Sequence, residues 1–198
     1  MGESYAFSFP NLRIVSMDNL QRINVKIYTP SPPGTKLEPF LDILNRWKEA
    51  DTEWLDIADY LHLEDGPGVV LFGKQRFISF DRNLGQTGVL YAHRYGLEGD
   101  LKTRLQTVLS NALSAAKKMV SDSKCPEEIS VRVDHLEFSI NDRLQAPNTA
   151  KTHQKLGTLI RDVGEEQLGA NNFEIQRIEN ARELFGYHFY LKTPLHLK

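Results

Sequence analysis

This chain lacks most of the features that mark secreted and membrane proteins. Its 198 residues include a single cysteine, Cys125, so no intramolecular disulfide can form. Its apolar runs extend over only a few residues, whereas a transmembrane helix needs roughly 20. The first residues also lack the basic-then-apolar order of a secretory signal. The sequence therefore predicts a cytoplasmic protein with no membrane partner.

A basic excess is also missing. Lysine and arginine number 24 against 26 acidic residues, which gives a formal net charge of −2. An extended nucleic-acid surface normally requires a basic excess on one face, so the composition predicts no nucleic-acid partner. The apolar share of 40% and the charged share of 25% are typical of a folded globular domain.

No catalytic or cofactor motif is present. The chain contains no P-loop, no dinucleotide-binding glycine pattern, no GxSxG, no HExxH and no CxxC. Its six histidines are scattered, so the spacing predicts no metal site. The sequence names no reaction and indicates no cofactor.

The first half of the chain shows clear periodicity. Apolar residues alternate over 23–28, which predicts a strand, and they follow helical spacing over 37–47, with Thr35 as the expected cap. Residues 1–20 have no clear period and are interpreted as an arm or an edge strand. Residues 54–95 predict a meander of four strands, because short turn segments at 64–67, 73–75 and 82–85 divide them.

The second half predicts two further helices and three strands. The longest helix begins at Gly99-Asp100, and Asn148 or Thr149 caps another that ends at Gly169. Strands are expected at 129–140, 173–178 and 185–191. The apolar phase of the first of these changes at residues 134–135, which indicates either a β-bulge or a change of packing partner.

This order of elements predicts an α+β fold: a mainly antiparallel sheet with a four-strand meander and about three helices packed on it. We expect one domain over residues 1–198, with a weak seam at the polar segment 121–128. The middle strands of the meander are apolar in both alternation phases, so the sequence predicts cover on both faces, by helices or by a partner subunit.

The stretch from residue 58 to residue 72 places Asp59 and His62 three residues apart. If residues 54–63 form a strand, these two side chains point to opposite faces and cannot act as a pair. Asp59 would then lie among leucines, and a buried carboxylate must be hydrogen-bonded, paired or shifted in pKa. A structural aspartate that bonds a turn or an arginine is the favoured interpretation, and a functional acid is the alternative.

Two further groups are candidate ligand-binding residues. The segment 64–68 has the composition of a turn, but Asp65, Gly66 and Gly68 could also contact a ligand. Tyr91, Tyr187 and Tyr190 belong to aromatic-rich segments. Such segments either line an apolar pocket with orienting hydroxyl groups or become buried in a homodimer.

We therefore hold two hypotheses for function. The favoured one is a non-catalytic module that binds a small ligand or another protein. The alternative is an enzyme that uses acid–base or metal-assisted chemistry, whose catalytic residues would be Asp59, His62, His93 and His135, with Asp65 and Asp134 in the same pool. Convergence of these side chains in one cleft would favour the enzyme, and dispersal would favour the binding module.

Overall fold

The computed structural model describes residues 17–130 and 132–197, which form three α-helices and a single antiparallel sheet of eight strands. The strands are β1 (Ile23–Tyr28), β2 (Trp54–Asp59), β3 (Val69–Gly73), β4 (Arg76–Asp81), β5 (Gly88–His93), β6 (Arg132–Ile140), β7 (Phe173–Arg177) and β8 (Phe185–His196). The helices are α1 (Glu38–Ala50), α2 (Leu101–Val120) and α3 (Ala150–Leu168). The predicted α+β fold is confirmed.

The strand order is β2-β3-β4-β5-β1-β6-β8-β7, and every neighbouring pair is antiparallel. Strands β2 to β5 are adjacent in chain order, which confirms the predicted four-strand meander. Strand β1 lies inside the sheet, between β5 and β6. Of the predicted N-terminal arm, residues 1–16 lie outside the described residues, and Met17–Asn19 form a short 3-10 turn.

All three helices pack on the same face of the sheet. Phe40 of α1 stacks on Phe80 of β4, with ring centroids 3.6 Å apart. Asn111 of α2 donates a hydrogen bond to the Tyr91 hydroxyl group on β5, and α3 lies over Phe189 of β8. These three strand residues share one face in the pairing register, so the fold has two layers.

The other face, which carries Asn24, Lys26 and Tyr28 of β1, has no helix packed on it within the described residues; we call it the helix-free face. Its middle is buried nonetheless, since Ser79 and Ala92 are 0% and 2% exposed. The predicted helical cover therefore occurs on one face. None of the helices in residues 17–130 and 132–197 has the length and apolarity to cross a bilayer.

The helix termini follow the predicted caps with one exception. The Asp100 carboxylate accepts a hydrogen bond from Thr103 N at 2.8 Å, and Thr149 caps α3, which is followed by Gly169 in a left-handed conformation. The predicted cap at Thr35 is wrong. Its hydroxyl group donates to the Pro32 carbonyl group at 2.8 Å, and α1 begins without a side-chain cap.

The phase change predicted at residues 134–135 is confirmed as a register shift between β6 and β8. Strand β6 advances by two residues, from Val133 to His135, while β8 advances by five, from Leu195 back to Tyr190. The additional residues thus lie on β8. Val133 and Leu136, which have opposite parity and lie on either side of this irregularity, are both buried in the core.

Candidate functional site

The Asp59–His62 segment forms the end of a strand and a turn. Strand β2 ends at Asp59, where the Asp59 carboxylate accepts a hydrogen bond from Leu61 N at 2.8 Å and bends the chain. His62 lies in the following turn. Both side chains are exposed, and no contact is recorded between them. The expected strand over residues 54–63 is therefore four residues too long, and the expectation that Asp59 is buried is wrong.

The acidic turn after this segment is held by backbone contacts. The Arg82 guanidinium group donates hydrogen bonds to the carbonyl groups of Leu63 and Glu64, at 3.1 and 2.9 Å. Asp65 accepts a hydrogen bond from Gly85 N at 3.2 Å and lines a cavity of about 320 Å³. These contacts fit a structural turn.

The two candidate glycines of this turn have steric functions. Gly68 adopts a φ of +64°, and a Cβ atom there would lie 2.0 Å from the Phe80 carbonyl oxygen. Gly66 is buried, and a Cβ atom there would lie 2.8 Å from the Leu63 Cβ atom. Gly68 is therefore explained by its positive φ and its close approach to β4, and Gly66 by packing within the turn.

Two of the three candidate tyrosines are buried beneath the helices. The Tyr91 hydroxyl group accepts a hydrogen bond from Asn111 at 3.2 Å, and the Tyr187 hydroxyl group lies 2.6 Å from His153 Nδ1. Burial raises the pKa of both phenols. Their hydroxyl groups are bound by protein partners, whereas Tyr190 lies on the helix-free face and is 41% exposed.

His93 is a buried, neutral side chain at the end of β5. Its Nε2 atom donates a hydrogen bond to the Tyr95 carbonyl oxygen at 2.9 Å, because that oxygen can only accept. Its Nδ1 atom is then left to accept from the Tyr91 hydroxyl group at 3.4 Å. Burial lowers the pKa of the His93 imidazole, so this residue adds no positive charge at neutral pH.

His135 lies in a stack of three rings that crosses the helix-free face. The Tyr28 ring is 4.0 Å from it on one side and the Tyr190 ring is 4.6 Å from it on the other, and both are nearly parallel to it. His135 Nε2 lies 3.0 Å from His188 Nδ1. The pKa of His135 is lowered to about 4, mainly by burial and secondly by the nearby His188.

Charged residues extend this cluster across the sheet. The Tyr28 hydroxyl group donates to Glu137 at 3.0 Å, and burial with this carboxylate raises the pKa of the phenol. Lys26 forms a buried ion pair with Asp81. Gly88 leaves room for the lysine stem, since a Cβ atom there would lie 3.2 Å from Lys26 Cε.

The predicted catalytic residues do not converge. Asp134 and His135 line one cavity of about 190 Å³, but they are neighbours in sequence. Asp59 ends the edge strand β2, His62 lies in the turn after it, and His93 lies on the face that α2 covers. Within residues 17–130 and 132–197, no three His, Cys, Asp or Glu side chains are grouped as metal ligands would be.

A polar cavity on the helix-free face lies elsewhere, at the ends of three central strands. It measures about 510 Å³. Arg22 precedes β1, Arg94 follows β5 and Asn141 follows β6. Because Ile23 pairs with both His93 and Ile140, Arg22 lies between Arg94 and Asn141. The hydrogen bond from Asn141 N to the Arg22 carbonyl group, at 2.8 Å, continues this register.

The lining of this cavity carries positive charge and no carboxylate. It consists of Arg22, Asn24, Phe77, Ala92, His93, Arg94, Tyr95 and Asn141. Both guanidinium groups are exposed, and neither forms an ion pair or a side-chain hydrogen bond with the described residues. Sequence reasoning missed both arginines. The available signal was their position, immediately before one predicted strand and immediately after another.

Comparison with known proteins assigns no class to the chain. No family model matches it, and no curated protein shows significant similarity to it. The geometry of the helix-free face is therefore the basis for inferring function.

Proposed function

We propose that this protein binds a small anionic ligand in the cavity between Arg22 and Arg94 and performs no chemistry on it. The observation that carries the proposal is that Arg22 and Arg94 lie opposite each other at the ends of the paired strands β1 and β5 and line one cavity without a carboxylate. An anion in a cavity lined by two cationic side chains is attracted by both of them.

The chemistry of the lining supports an anion. A guanidinium group presents a planar set of N–H donors that can bind a carboxylate or a phosphate through two parallel hydrogen bonds. Asn24 and Asn141 add amide donors beside the arginines. The cavity volume of about 510 Å³ falls within the range of small-molecule sites, roughly 300–1,000 Å³.

The test is calorimetric titration of the protein with inorganic phosphate, acetate and benzoate at constant ionic strength. We expect at least one of the three to bind, and Arg22→Gln and Arg94→Gln each to weaken that binding by about tenfold or more, because each removes a charge-assisted hydrogen bond. Constant ionic strength is required since salt screens exposed charges.

The matched control is Arg132→Gln. Arg132 is an exposed arginine at the start of β6, at the other end of the sheet, so it changes the net charge equally without changing the cavity. Equal affinity in the wild type and all three variants, or no binding of any of the three anions to the wild type, would overturn the proposal.

A second candidate function is acid–base chemistry at His135. The contact that favours it is the 3.0 Å approach of His135 to His188 beside a cavity of about 190 Å³. A neutral imidazole there can accept a proton. Turnover of chromogenic phosphate or carboxylate esters that is lost in His135→Phe would support this function, and no turnover by the wild type would remove it.

Cytoplasmic location and the homodimer stay predictions. For the homodimer, light scattering at several protein concentrations gives the decisive mass: twice 22.6 kDa is expected for a dimer, and 22.6 kDa throughout would contradict it.

A further inference from the structure

We infer that the ligand of the Arg22–Arg94 cavity is an aromatic anion, in which a flat ring carries a carboxylate or a similar charged group. The inference rests on the proposed anion site and specifies its ligand class. It depends on the apolar part of the same lining, which a purely inorganic anion would leave unused.

The cavity has one aromatic wall. Phe77 of β4 lines it and is only half-buried. The guanidinium carbon of Arg94 lies 5.5 Å from the centre of the Phe77 ring and 6.0 Å from the centre of the Phe72 ring. The cationic group is therefore next to an aromatic surface. A ligand with a charged group on a flat ring can contact both, because its charged group binds the guanidinium group and its ring packs on Phe77.

Phe77 is supported from outside the cavity. Phe72 and Phe77 are directly paired across β3 and β4, and their ring centroids lie 6.0 Å apart. Phe72 is not part of the cavity lining. This ring limits the directions in which Phe77 can turn, so the aromatic wall is formed before any ligand arrives.

Phe77 and Asn24 lie on either side of a small, buried residue of the lining. Phe77, Ala92 and Asn24 are consecutive partners across β4, β5 and β1. Strands are spaced about 4.8 Å apart, so Phe77 and Asn24 are separated by roughly 10 Å with only a methyl group between them. A flat ring packed on Phe77 can therefore direct its charged group to the arginines, with the Asn24 amide on the other side of the cavity.

The ligand class is tested by calorimetric titration with four carboxylates of equal charge: acetate, cyclohexanecarboxylate, benzoate and 2-naphthoate. We expect benzoate and 2-naphthoate to bind about tenfold or more tightly than acetate, and severalfold more tightly than the saturated ring of cyclohexanecarboxylate. Phe77→Leu should remove the preference for aromatic rings and leave acetate binding unchanged.

Two variants complete the design. Phe77→Tyr is the matched control, since it keeps an aromatic ring at the same position and should retain the aromatic preference. Asn24→Ala, which removes the amide on the other side of the cavity, should weaken benzoate and acetate alike and retain the aromatic preference. Thermal unfolding of each variant establishes that the fold is retained.

Failure of the two proposals can be distinguished. If all four carboxylates bind equally and Arg22→Gln weakens them equally, the anion site stands and the aromatic ligand class is overturned. If Arg22→Gln and Arg94→Gln change none of the affinities, the anion site itself is overturned.

Discussion

His135 shows how neighbouring side chains set the charge of one residue. Lys26 lies close to it from β1, Asp134 and Glu137 belong to its own strand, and His188 contacts it from β8. Burial and the nearby His188 and Lys26 disfavour the imidazolium form more than Asp134 favours it. The residue is therefore neutral at pH 7.

This predicts acid-sensitive stability. The pKa of His135 is about 4 in the fold against its ordinary 6.5, so between these values the unfolded chain binds more protons. The stability that neutral His135 contributes to the fold is fully present above pH 6.5 and is lost as the pH falls towards 4. Between pH 7 and pH 4.5, the free energy of unfolding of the wild type should fall by about 1–2 kcal/mol more than that of His135→Phe, which keeps a ring in the stack; this figure allows for partial solvent screening.

Urea unfolding at the two pH values measures this difference. The control is His62→Phe, which makes the same substitution at an exposed histidine outside the ring stack. An identical pH dependence in the wild type and His135→Phe would show that His135 titrates normally.

At the scale of elements, α3 is shaped by its two glycines. Aromatic side chains of the strands approach both of them closely. A Cβ atom at Gly157 would lie 2.9 Å from the Tyr187 hydroxyl oxygen, and one at Gly164 would lie 2.6 Å from Phe189 Cε1 and 3.0 Å from Phe173 Cζ. Helix α3 can therefore lie close to β7 and β8.

Gly164→Ala should destabilise the protein by about 1–2 kcal/mol, although alanine favours a helix by roughly 1 kcal/mol over glycine. The rings of Phe173 and Phe189 are buried and cannot move aside. Chemical denaturation measures the change. Thr158→Ala, at an exposed position of the same helix, should instead stabilise slightly, and stabilisation by both substitutions would disprove the clash.

The elements were largely predictable from the sequence, but their arrangement was not. Local periodicity located the helices and most strands, since each buries one face. It failed after Asp59 because a side chain competes with the strand for a backbone N–H group. Arg22 and Arg94 became neighbours only through the pairing of β1 with β5, which no local pattern encodes.

At the scale of the whole molecule, the sheet joins both halves of the chain. Strand β1 pairs with β5 on one side and with β6 on the other. Across the predicted seam, Arg46 contacts Asp122 at 2.6 Å and Lys124 contacts Asp42 at 2.7 Å, which attaches this segment to α1.

We therefore predict one cooperative unfolding transition. Differential scanning calorimetry should give a calorimetric enthalpy equal to the van't Hoff enthalpy. Cleavage within residues 121–128 by limited proteolysis should leave the two fragments associated under native conditions. Two separate transitions, or fragments that separate on gel filtration, would show that the seam divides two domains.

The interior position of β1 has a consequence for synthesis on the ribosome. Ile23 can pair with His93 on one edge only after that residue has been synthesised, and with Ile140 on the other edge only after a segment over a hundred positions later has been synthesised. The hairpins of the meander can close as soon as they emerge, whereas β1 keeps an unpaired edge until β6 has been translated. Nascent chains shorter than about 140 residues should therefore carry the greatest risk of pairing with another chain.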